Sequence, residues 1–137
     1  MFELGKEEKK RVRTREEVIA FKNALEGRMR DFAVAVFKFL DALPKKNSTK
    51  IIAYQLGRSA SSVGANYREA NRGESKEDFS HKLQIALKEA SETVYWLEIL
   101  SELYPMHKVI RQLHSESAEL RNLLQAISKK VRCSKSS

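Results

Sequence analysis

The feature that most constrains this chain is the step at which its apolar residues recur. Val18, Phe21, Leu25, Met29, Phe32, Val36, Phe39 and Leu43 follow one another at intervals of three and four. That spacing lays them along one face of a helix about eight turns long. The pattern returns three times. Ile52, Leu56, Val63, Tyr67 and Ala70 carry it in a second segment, and Phe79, Leu83, Ala86, Leu87, Ala90, Val94, Leu97 and Leu100 in a third. Val109, Ile110, Leu113, Ser117, Leu120, Leu124 and Ile127 carry it in a fourth. No segment alternates apolar and polar residues as a half-buried strand would. With only 5 glycines and 2 prolines among 137 residues, little interrupts long helices.

The punctuation between the stripes sets their ends. Thr14-Arg-Glu-Glu17 reads as a capping box for the first helix, and Pro44 closes it. Gly27, in mid-stripe, costs about 1 kcal/mol of helix propensity and marks a candidate bend. Asn47 or Ser48 is the expected cap of the second helix. Gly73 is a candidate left-handed terminator behind it. Ser75, followed by Glu77 and Asp78, opens the third helix. The fourth runs from about Met106 to Lys130. Connections this short make sequential helices antiparallel, so residues 14–130 are predicted to form an all-α, up-down-up-down four-helix bundle. Residues 1–13 are then a charged extension and 131–137 a basic flexible tail.

Chemistry is sparse. Cys133 is the single cysteine, which rules out an internal disulfide and points to the cytoplasm. The most apolar stretch, 32–43, is too short for a membrane span and holds Lys38 and Asp41. The 3 histidines include His107 and His114 on one helical face and His81 beside Asp78, half of a di-iron carboxylate motif at best. Phosphate-binding, dinucleotide and nucleophile-elbow motifs do not occur. The chain is therefore expected to be no enzyme and to hold neither metal nor cofactor.

Charge says more. The net charge is +8, which suits a polyanionic partner. Residues 75–104 carry a net −3 and residues 105–137 a net +5, so opposite-signed faces are expected. Candidate phosphate contacts are Lys45, Lys46, Arg58, Arg68, Arg72, Lys129, Lys130 and Arg132, in the first connection, the second helix and the tail. A polar stripe, Ser59, Ser62, Asn66 and Glu69, runs along a flank of the second helix at steps of three and four. It admits two readings, a buried hydrogen-bonding network that fixes helix register or a binding groove.

The stretch Ser59–Phe79, above all Gly64-Ala-Asn-x-x-Glu-Ala70 leading into Ser75-Lys-x-Asp-Phe79, resembles the bacterial four helix bundle family. Lys82–Leu97 continues the likeness, which spans residues 16–128. That family is also called the 23S rRNA intervening-sequence protein, or S23, family. The resemblance implies a bundle that assembles into a homopentameric ring. A related group resembles the accessory variability protein of diversity-generating retroelements, a basic pentamer that binds nucleic acid and a reverse transcriptase. On this footing Ala60, Gly64, Tyr95 and Trp96 are candidate ring-interface residues. The expected function is nucleic-acid binding, RNA or DNA, mainly through phosphates. The rival is a protein-interaction scaffold without nucleic acid.

Overall fold

The computed structural model describes residues 12–135. They form four helices, α1 (Arg15–Ala42), α2 (Asn47–Asn71), α3 (Lys76–Leu103) and α4 (Lys108–Lys135). Each packs on its neighbour in sequence and α4 returns to α1. The short connections force sequential helices to run antiparallel, giving the predicted four-helix bundle. Met29, Val36, Leu56, Leu83, Leu97, Leu100, Ile110 and Leu124 are wholly buried at its centre. The stripes do what their period requires. Most of residues 1–13 lies outside the described residues.

The ends follow local chemistry, with three departures from expectation. Thr14 Oγ1 accepts from the Glu17 N–H at 3.2 Å, and Ser75 Oγ from the Asp78 N–H at 3.0 Å. Neither Asn47 nor Ser48 caps α2, because both are inside the helix. Thr49 holds that end instead, its hydroxyl accepting from the Lys46 N–H at 2.8 Å and donating to the Pro44 carbonyl. Gly73 is not left-handed. The chain turns by tight bonds from the Arg72 and Gly73 N–H groups to Glu69 and Ala70 carbonyls. Glycine suits that position because a Cβ would sit 3.1 Å from Asp78 Cβ. The third departure is at the C-terminus, where residues 131–135 are helical rather than tail. Val131 lies one turn beyond Ile127 and packs on the core, so burial extends α4.

Helix α1 passes through Gly27 without a break. A Cβ there would meet nothing closer than Arg30 Nη2 at 3.7 Å, so the glycine costs propensity with no steric return. Gly27→Ala is expected to stabilise the protein by about 1 kcal/mol. A urea midpoint no higher than that of the parent protein would contradict it.

Candidate nucleic-acid interface

The bundle sorts the predicted basic residues rather than collecting them. Lys45 and Lys46 are exposed at the end where α1 meets α2. Lys129, Lys130 and Arg132 are exposed at the opposite end, near the C-terminus of α4. A helix of 25 residues is about 38 Å long, so no single patch joins the two groups.

The α2 arginines are engaged within the bundle. Arg58 forms ion pairs with Glu89 and Glu92 of α3. Arg68 and Arg72 both reach Glu26 of α1, at 3.4 and 3.5 Å. Glu26 also accepts from Asn71 Nδ2 at 2.9 Å. Beside this cluster, burial pushes the Tyr67 phenol above its usual range, while its hydrogen bond with Asn71 lowers it and the Glu26 charge adds to the rise. These arginines hold helices together.

The polar stripe on α2 likewise makes its bonds within the bundle. Ser59 is fully buried and meets Thr93 of α3, Oγ to Oγ1, at 3.0 Å. Ser62 Oγ and Asn66 Nδ2 donate to carbonyls one turn back in their own helix, at 2.7 and 2.9 Å. Glu69 pairs with Lys82 at 2.8 Å. The Ser59–Thr93 bond ties α2 to α3, while Ser62 and Asn66 bond within α2.

Helix α4 is different. Its sequence holds seven bases and only two acids, Glu116 and Glu119. Both acids turn toward α1, where Arg28 takes them. Its Nε donates to Glu116 Oε2 at 2.8 Å, and its Nη2 lies 2.7 Å from Glu116 Oε1 and 2.9 Å from Glu119 Oε1. The hydrogen bonds that Arg28 donates to both carboxylates outweigh desolvation and raise its pKa above its ordinary value, so the guanidinium stays charged.

With Glu116 and Glu119 paired to Arg28 on the α1 side, Glu119 still 61% exposed, the outer face of α4 reads Arg111, Ser115, Ala118, Asn122, Gln125, Lys129 and Arg132 at alternating steps of four and three. Lys108, Arg121 and Lys130 flank it. Among the described residues no ion pair holds Lys108, Arg111, Arg121, Lys129, Lys130 or Arg132. Only at one end do acids come near, where Glu98 and Glu102 of α3 share a hollow with Arg111 and His114. The expectation from sequence named the bases at the far end of this face and missed Lys108, Arg111 and Arg121. The net +5 of residues 105–137 was the signal for them.

Two of the small residues assigned to a ring interface are used inside the chain. Ala60 is fully buried in the core. Gly64 faces Met29, whose Cβ would be 3.2 Å from a Cβ at that position. Trp96 packs partly against the core, and its ring meets Tyr95 edge-on at 5.3 Å. Tyr95 is 55% exposed, and the larger exposed apolar side chains include Tyr54 at 71% and Phe37 at 47%.

Of the histidines, His107 serves local packing and His81 is exposed. His107 meets Phe39 edge-on at 5.6 Å, and its Nδ1 accepts from the Ile110 N–H at 3.4 Å at the start of α4. Among the described residues no three His, Cys, Asp or Glu side chains are placed to hold a metal ion. None of the described helices is long and apolar enough to cross a membrane.

Comparison with known proteins places this geometry in a family. The family described as 23S rRNA-intervening sequence protein matches residues 22–126. A crystal structure from Bacteroides thetaiotaomicron VPI-5482, of a protein from the S23 ribosomal protein family with unknown function, is 37% identical. The match covers 79% of this chain and 97% of that one, with a TM-score of 0.69. None of the curated proteins matches.

Proposed function

The chain belongs to the 23S rRNA-intervening sequence protein family, and from that premise we propose that it is a non-enzymatic helical bundle that binds RNA or DNA through the outer face of α4. The observation that carries this is the Arg28 clasp. By drawing Glu116 and Glu119 to the α1 side, it leaves the outer stripe of α4 with bases and neutral side chains. Phosphate contact through such a face is sequence-tolerant and gains from counterion release. Lys45 and Lys46, exposed at one end, are free to add contacts. Arg58, Arg68 and Arg72 are not, since each already faces a carboxylate.

The active form in this proposal is a homo-oligomer, with the pentameric ring implied by the family resemblance as the expected state. Exposed Phe37, Tyr54 and Tyr95 supply apolar surface for the contacts between copies. A reverse transcriptase is the protein partner that the retroelement resemblance names. Those same exposed aromatics favour the second reading, an assembly scaffold without nucleic acid.

Fluorescence anisotropy with labelled hairpin RNA and duplex DNA at 50 mM and 200 mM salt, with light scattering on the same sample, separates the two. Submicromolar binding at the lower salt by an oligomer is the expected result. An oligomer that binds neither probe at 50 mM salt would leave the scaffold.

A further inference from the structure

Resting on that reading of α4, we infer that its outer face is built for double-stranded nucleic acid and spans about one helical turn of it. The free bases fall in two end groups with one between. Lys108 and Arg111 stand at one end, Lys129, Lys130 and Arg132 at the other, and Arg121 lies near the middle. From Lys108 to Arg132 the helix rises about 36 Å, and one turn of a B-form duplex advances about 34–36 Å. A rod laid along a duplex meets the same strand once per turn and the opposite strand in between. The two end groups match successive passes of one strand, while Arg121, half-buried and about a quarter-turn round the helix from Arg111 and Lys129, stands off that line.

The stretch between the end groups fits the same arrangement. Ser115, Ala118, Asn122 and Gln125 carry the stripe across the middle. They are small or neutral, as suits a segment that faces groove openings rather than backbone. Single strands fit less well. Their binding sites combine a basic track with aromatic rings on which bases stack, and α4 from Lys108 to Lys135 contains no Phe, Tyr or Trp. A face that offers charge without stacking discriminates in favour of the rigid duplex, whose phosphates are already at fixed intervals. The spacing matched is that of the B-form turn, so duplex DNA is the favoured ligand over A-form duplex RNA.

The test measures binding of the full chain to blunt DNA and RNA duplexes of 6, 12 and 18 base pairs, and to single strands of 12 nucleotides, at 50 mM salt. Affinity should rise about tenfold or more from 6 to 12 base pairs, beyond the statistical gain in sites. The 12-mer duplex should bind at least tenfold tighter than either of its strands. In the triple variant Lys129→Gln, Lys130→Gln, Arg132→Gln, whose folding circular dichroism would verify, the step between 6 and 12 base pairs should disappear. A preference for the DNA duplex would support the inference, and a preference for the RNA duplex would overturn the match to a B-form turn. Equal or tighter binding of single strands, or no length step, would overturn it while leaving phosphate binding by α4 in place. No binding to any probe would remove both.

Discussion

Replacing Gly64 with leucine is expected to destabilise the protein by about 3 kcal/mol, the upper end of the usual cost of overpacking. The α1–α2 seam closes over this residue, and a Cβ would stand 3.2 Å from Met29 Cβ and 3.6 Å from its backbone carbon. Met29 is wholly buried and the second neighbour is backbone, so nothing nearby yields without moving a helix. Leucine gains about 0.8 kcal/mol of helix propensity over glycine, which the clash outweighs. Alanine at the same site needs a shift of only a few tenths of an ångström, so propensity and strain nearly cancel. At Gly57 the nearest atom is Phe37 Cε1 at 3.1 Å, on a half-exposed ring that can swing aside. The series Gly64→Leu, Gly64→Ala and Gly57→Ala, read by urea midpoints and melting temperature, should therefore show one large loss, of roughly 10 °C, and two small changes. A stable Gly64→Leu would mean that α1 and α2 are farther apart than described.

The second large effect is on binding. Six free bases on α4, each neutralising one phosphate, give a slope of log affinity against log salt of about −5. Raising salt from 50 to 200 mM should then weaken binding by roughly 10³-fold. Each glutamine substitution at Lys108, Arg111, Arg121, Lys129, Lys130 or Arg132 should reduce the magnitude of the slope by about 1. Arg58→Gln and Arg68→Gln should leave it unchanged, because those guanidinium groups already face Glu89, Glu92 and Glu26. The control distinguishes a local interface from diffuse attraction to a protein of net charge +8. If the α2 substitutions flatten the slope as much as the α4 ones, the interface is not α4.

The family likeness was readable in the residues from Gly64 to Phe79, and both the family match and the structural relative bear it out. The candidate site was only partly readable. Lys129, Lys130 and Arg132 were named from charge alone and remain free of acids in the fold. Arg58, Arg68 and Arg72 were named on the same ground, and each proved to have a carboxylate opposite it. A list of charges carries no information about what lies across a helix seam.

That difference divides what each level decides. The number of helices, their capped starts at Thr14 and Ser75, and most residues of the core follow from the sequence by itself; Val109, placed in the fourth stripe, is instead 40% exposed, because its neighbour Ile110 takes the core position. Periodicity, propensity and capping act over a single turn, within the reach of a few neighbouring residues. Whether Gly27 breaks α1, whether α4 continues past Lys130, and which bases stay free were settled only by tertiary packing. Val131 is helical because the core lies beneath it. The outer face of α4 is free of acids because Arg28, 88 residues from Glu116 in sequence, stands across the seam from it, and ion pairs form between side chains that the fold brings within a few ångströms.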